Sequence, residues 1–171
     1  MNPPAGAAEH AVVVRPARPD EYDEVGELTA RVFLDEGYGD EQYAPWLRAA
    51  ATRAAHGELL VAQLAGRLVG TASLFTAAAG PEWAETAAPG EGVLRMLAVD
   101  PAARGAGVGS ALTTTCIERA RALGCHRMLL LTQPSMTTAQ RIYTRLGFVR
   151  DPGGDWDVRP DLRLLRYTLE L

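Results

Sequence analysis

The sequence predicts a mixed α/β domain. Three observations carry that prediction. Apolar runs of strand length alternate with segments whose apolar residues recur at helical spacing. Ala65-Gly66 sits between two such runs, as a hairpin turn does. A helical stripe from Val108 to Leu123 separates the run at Val93 to Val99 from the run at Arg127 to Thr132, as a strand–helix–strand crossover does. Hairpins and a crossover in one chain imply a sheet with antiparallel and parallel neighbours, about six or seven strands with helices on both faces.

Composition sets the outer bounds. The chain has 171 residues, 47% apolar and 22% charged, enough for one domain with a full core. Residues 1–10 are rich in Ala, Pro and Gly and read as a flexible tail, which leaves 11–171 as a single domain. A formal net charge of −4 argues against nucleic acid as a partner. No apolar run approaches the ~20 residues that span a bilayer, and the N-terminus does not read as a signal peptide, so no membrane is expected. Cys116 and Cys125 lack C-x-x-C spacing. They read as buried free thiols in a reducing compartment, and the protein as cytoplasmic.

The elements follow in order. Ala11 to Arg15, with three valines, is a first strand that Pro16 and Pro19 end. Asp20 is placed to cap a helix whose first turns hold Glu21, Asp23 and Glu24. Val25, Leu28 and Val32 give that helix its apolar face. After a polar loop from Asp35 to Asp40, a second helix is expected from Glu41 to His56. Leu59 to Gln63 and Arg67 to Phe75 form the hairpin. Ala77 to Gly90 is a Pro/Gly/Ala-rich loop. Gly124 stops the long helix after the crossover strand. Ala139, Ile142, Tyr143 and Leu146 mark a further helix, closed by Gly147. Phe148 to Arg150 and Leu162 to Leu171 complete the sheet, with Asp151 to Pro160 as a loop between them.

The most informative segment lies between the crossover strand and its helix: Pro101, then Arg104-Gly105-Ala106-Gly107-Val108-Gly109-Ser110. Glycines let backbone N–H groups approach an anion, and a helix N-terminus adds partial positive charge. A dinucleotide fingerprint needs a third glycine where Ser110 stands. A nucleoside-triphosphate loop needs a lysine, and this chain has none. A glycine turn without any ligand is the remaining alternative. Arg104-x-x-Gly107-x-Gly109, after a proline at a strand end, closely resembles the acyl-CoA pyrophosphate motif of the GNAT superfamily of N-acyltransferases. Ala139 to Phe148, downstream, resembles that family's A-x-x-x-Y-x-x-x-G-F segment.

The resemblance implies a fold and a chemistry. The fourth strand splays from the fifth in a V. Main-chain groups of Leu97, Ala98 and Val99 bind the pantetheine arm of acetyl-CoA. The Arg104, Gly105, Ala106, Gly107, Val108, Gly109 and Ser110 turn holds the pyrophosphate. An N–H near Leu97 polarises the thioester carbonyl. Tyr143 contacts the coenzyme and protonates the leaving thiolate, whose conjugate thiol has a pKa of about 8.5. The same tyrosine lies on the apolar stripe of its helix, which also suits a core residue; packing and catalysis are compatible there. Many members of the family carry a basic glutamate where Val93 stands here. Glu91, two residues earlier on the same strand face, is the candidate proton acceptor through a water; a solvated strand-end carboxylate is the alternative.

The expected activity is acetyl transfer from acetyl-CoA to a primary amine, on a small molecule or a peptide, by direct attack in a ternary complex. A non-catalytic acyl-CoA sensor of the same fold is the alternative, which Val93 favours and Tyr143 disfavours. The resemblance allows a homodimer. His10, His56 and His126 show no metal spacing, and no metal is expected. For the acceptor, the stretch Asp35 to Tyr43 offers carboxylates and tyrosines to a cation, and Trp83 or Trp156, the latter with Asp155 and Asp157, offers a wall; each also suits a solvated loop or a packing residue.

Overall fold

The computed structural model describes residues 11–171. The expected tail at 1–10 lies outside them. In chain order the elements are β1 (Val13–Pro16), α1 (Tyr22–Asp35), α2 (Ala44–Arg48), α3 (Ala50–His56), β2 (Glu58–Leu64), β3 (Arg67–Thr76), α4 (Pro81–Ala84), β4 (Glu91–Val99), α5 (Val108–Ala122), β5 (Arg127–Thr132), α6 (Thr137–Arg145), β6 (Val149–Arg150), β7 (Trp156–Arg159) and β8 (Leu162–Glu170), with 3-10 turns between some of them. The strands form one 8-stranded sheet in the order β1-β2-β3-β4-β5-β8-β6, with β7 on β8. That exceeds the expected count because β7 lies in the segment 151–160, expected as a loop. Trp156 and Val158 alternate with Asp157 and Arg159, a strand pattern only four residues long. The described residues fall into two compact units, 11–73 with 96–112 and 74–95 with 113–171.

In the first unit, β1 pairs antiparallel with β2 from Val13↔Gln63 to Pro16↔Leu60. The hairpin to β3 turns at Ala65 and Gly66, with φ of +50° and +73°, the positive pair that a tight two-residue hairpin loop demands. Val25 of α1, Ala50 of α3, and Leu59 and Val61 of β2 form one buried cluster. Gly26 lets α1 meet the next helix closely: a Cβ there would lie 2.4 Å from the Arg48 carbonyl oxygen. The expected helix over 41–56 is two helices. Asp40 Oδ1 accepts from the amides of Gln42 and Tyr43, which folds 40–43 into a turn, and Ala49 (ψ +52°) breaks the rest. Asp20 is no cap; Glu21 takes that region over. Its carboxylate accepts from Arg18 N at 2.8 Å and from the Arg15 guanidinium at 2.5 and 2.9 Å. Arg53 of α3 is fully buried and donates to Leu47 O, Thr29 Oγ1 and Ser73 Oγ.

The second unit is built on β5, whose Arg127 to Thr132 run pairs antiparallel with β8, from Arg127↔Glu170 to Thr132↔Leu165. β5 also pairs with β4 in parallel, over Glu91↔Arg127 to Val93↔Leu129. Phe75, Trp83, Ala84, Val93 and Leu129 form its core cluster, with Trp83 stacked on Phe75 at 5.4 Å. Cys116, Ile117 and Ala120 are the buried stripe of α5, and both cysteines are free and buried.

Candidate functional site

The glycine turn begins where β4 ends. Asp100 Oδ1 accepts from Ala102 N at 2.9 Å and shapes the first bend. Its other oxygen meets Arg31 of α1 at 3.1 Å, and both interactions hold the Asp100 carboxyl below its ordinary range. Gly105 and Gly107 have φ of +82° and +79°. A Cβ at either would meet nothing within 4 Å, so these glycines answer to backbone conformation and leave open space above the turn. Ala111 N donates to Gly107 O at 3.0 Å. That is the first intrahelical bond of α5, so the preceding amides belong to its positive end. Arg104 to Gly107 are exposed, whereas Val108 and Gly109 are buried and Ser110 is half-buried. The arrangement has the features of an anion cradle: flexible glycine backbone, a helix N-terminus and one guanidinium. That guanidinium pairs with Glu36 at 2.6 Å.

A residue absent from the sequence reading sets the height of the cradle. Gly70 of β3 faces the start of α5. A Cβ there would lie 2.7 Å from Val108 Cγ1, 3.0 Å from Leu112 Cδ1 and 3.2 Å from the Ala98 carbonyl. Glycine therefore lets the first turn of α5 sit against the strand. Only a glycine inside an apolar run hinted at it.

β4 departs from regular geometry beside the cradle. Its register with β5 covers Glu91 to Val93. Three residues on, Met96 has φ +53°, a left-handed conformation inside a strand. Leu97 and Val99 beyond it are half-buried and Ala98 is buried.

Tyr143 sits on α6, 5% exposed, its ring 5.8 Å from that of Phe148 and 6.4 Å from that of Tyr167. Burial, with Cys116 nearby, pushes its phenol above the ordinary tyrosine value. The hydroxyl therefore keeps its proton at neutral pH. Tyr167 is itself steadied. Its hydroxyl donates to Gln140 Oε1 at 3.3 Å, and Arg150 lies 5.5 Å from its ring centroid.

Glu91 is not a solvated strand end. It is 6% exposed; Oε2 accepts from Ala88 N at 2.9 Å and Oε1 meets Arg127 at 3.3 Å. Both oxygens are engaged. Along β4 it stands six residues before Leu97, roughly 20 Å at strand rise. The acceptor candidates are partly committed as well. Within Asp35 to Tyr43, Glu36 holds Arg104 and Asp40 caps its own turn. Trp83 is a core residue. Trp156 stays exposed, while Asp155 and Asp157 pair with Arg150 and Arg163. No group of three metal-ligating side chains occurs among the described residues.

Comparison with known proteins decides the family. The family model described as Acetyltransferase (GNAT) family matches residues 22–148, which include β4, the glycine turn, α5 and α6. The chain belongs to the GNAT acetyltransferase family. This GNAT chain is 37% identical over 106 residues to a mycothiol acetyltransferase of Sanguibacter keddieii, a match covering 62% of the chain and 30% of that protein. A mycothiol acetyltransferase of Thermobispora bispora is 30% identical over 138 residues, 72% of the chain and 41% of that protein. The chain thus spans less than half the length of these curated relatives. Among solved structures, a GNAT acetyltransferase from Staphylococcus aureus Mu50 has a TM-score of 0.72 at 19% identity, over 94% of this chain and 99% of that one. One from Brucella melitensis in complex with acetyl-CoA has a TM-score of 0.62 at 22% identity, over 95% and 92%. These likenesses establish the GNAT fold. No helix of the described residues is long and apolar enough to cross a membrane.

Proposed function

We propose that this GNAT chain transfers an acetyl group from acetyl-CoA to a primary amine. The observation that carries the proposal is the open glycine turn at the head of α5, Arg104 to Gly109, inside the family match. Acetyl-CoA is a substrate here; it brings an activated thioester. The amides of the turn and Arg104 hold its diphosphate, and Ser110 closes the first helical turn behind them. Main-chain groups of Leu97, Ala98 and Val99 take the pantetheine arm as a strand partner. The Leu97 N–H donates to the thioester oxygen, where negative charge builds during attack. The amine attacks the carbonyl carbon, the carbon–sulfur bond breaks, Tyr143 gives its proton to the sulfur, the nitrogen sheds its extra proton to water, and the phenolate regains a proton from water. The mycothiol acetyltransferase name of the relatives supports acetyl transfer. The acceptor is left at its chemical class, a primary amine on a small molecule or peptide.

Thiol release from acetyl-CoA against a panel of amines tests the proposal. Turnover with at least one amine is expected in the wild type. Tyr143→Phe is expected to lower kcat by about a hundredfold and leave the KM for acetyl-CoA unchanged. Tight coenzyme binding without turnover on a broad panel would instead favour a sensor.

A further inference from the structure

The side chain of Arg95 makes a clasp. Its Nε lies 2.8 Å from Glu85 Oε1, and its Nη1 donates to the carbonyl oxygens of Glu82 and Trp83, each at 3.1 Å. One β4 side chain is thereby tied to α4 and to the turn after it. The turn is costly. Ala87 N donates to Ala84 O at 2.9 Å, closing a four-residue turn with Glu85 in second place. Glu85 has φ +53° and ψ −116°, which glycine adopts freely and residues with a side chain rarely do. Its carboxylate is uncomfortable too. The side chain is 10% exposed, and Oε2 has no hydrogen-bond partner among the described residues. Burial pushes this carboxyl above its ordinary value while Arg95 pulls it down.

Backbone strain and an orphaned buried oxygen persist only where other contacts over-determine them. Glycine at position 85 would remove both costs. What it would not supply is the ion pair to Arg95. Met96 carries the left-handed kink of β4, and the next amide is that of Leu97. The direction of the Leu97 N–H follows from the backbone dihedrals at Met96. Rotation at residue 95 or 96 swings that bond off its target.

We propose that the Glu85–Arg95 clasp is a positioning device, which locks residue 95 and so holds the Met96 kink that aims the Leu97 N–H at the thioester carbonyl. The inference rests on the coenzyme reading above. Glu85 and Arg95 touch neither substrate; they act through the strand.

Infrared difference spectra of acetyl-CoA labelled with 13C at the thioester carbonyl test it without any acceptor. In the wild type the bound carbonyl band is expected to shift to lower frequency than in free acetyl-CoA. In Glu85→Gly and Arg95→Met the coenzyme is expected to bind with wild-type affinity by calorimetry, with the band back at its free position. Should Arg95→Met fail to fold, Glu85→Gly decides, because its turn favours glycine. A wild-type band position in a folded, coenzyme-binding Glu85→Gly overturns the clasp. Wild-type binding with no band shift overturns the clasp and the Leu97 assignment and leaves the coenzyme reading standing. Absence of wild-type binding overturns the coenzyme reading and the clasp with it.

Discussion

Packed against Phe148 and Tyr167, the Tyr143 phenol carries its proton through the neutral range. Under the proposed function it is a donor before turnover and an acceptor only after the thiolate has taken that proton. Its raised value moves the alkaline limit upward, so kcat is expected to hold through pH values near the ordinary tyrosine pKa of about 10. Glu91 is in a different position. Both of its carboxylate oxygens already accept structural hydrogen bonds, one from Arg127 and the other from the Ala88 amide. Glu91→Gln is therefore expected to leave the pH–rate profile unchanged and to lower the melting temperature, since it strands Arg127 beside Glu170 alone. A lost acidic limb in that variant would return Glu91 to the mechanism. Arg104 presents a third case. Glu36 holds its guanidinium, and under the proposed function it competes there with the coenzyme diphosphate. Glu36→Gln is expected to tighten coenzyme binding by less than about 1 kcal/mol, an exposed-pair magnitude, with the gain shrinking as salt is added. Calorimetry at two ionic strengths measures it.

Elements place these side chains, and glycine decides how closely they approach. The first turn of α5 rests on β3 at Gly70. In Gly70→Ala a methyl would fall 2.7 Å from Val108 and 3.0 Å from Leu112, both at the head of α5. Overpacking of this kind costs about 1–3 kcal/mol, and here the strain is relieved by lifting the turn. Weaker coenzyme binding is expected alongside lower stability; a variant with wild-type affinity would separate the turn from the strand. That contact was not legible in the sequence, because a glycine in a strand does not say what faces it. The turn itself was legible, since left-handed glycines and a helix start leave a spacing that one chain displays. So were the hairpin at Ala65-Gly66 and the stop at Gly124, where Gly66 and Gly124 take the positive φ that favours glycine. The helix over 41–56 was misread for a physical reason. Apolar periodicity continues across 43–50, whereas the Asp40 side chain captures two amides and Ala49 leaves the helical region, and neither event has a periodic signature. β7 was missed because four residues give an alternating pattern no time to repeat. Buried Arg53 was invisible because its partners are hydroxyls and a carbonyl, not a carboxylate with a recognisable offset.

Charge across the whole molecule gives stability a direction in pH. All 17 basic Lys/Arg positions are arginine, so loss of their protons lies far above any working pH. The carboxylates titrate on the acid side. Arg15 and the Arg18 amide hold Glu21 down to about 2 from 4.5. The Ala102 amide and Arg31 lower Asp100, and Arg150 lowers Asp155. A carboxyl with a depressed folded value stabilises the fold fully above its unfolded value and loses that contribution as pH falls through the folded one. Glu85 acts with the opposite sign, since burial raises it, and its protonation on acidification offsets a part of the loss. For Glu21 the window runs from 4.5 down to about 2. The urea midpoint of the wild type is expected to fall across that window. Glu21→Gln, which has no proton to gain there, is expected to start lower at neutral pH and to fall less steeply, so that the two curves converge near pH 2. Curves that stay parallel down to that pH would mean that the Arg15–Glu21 contact stabilises the fold by packing alone and not by charge.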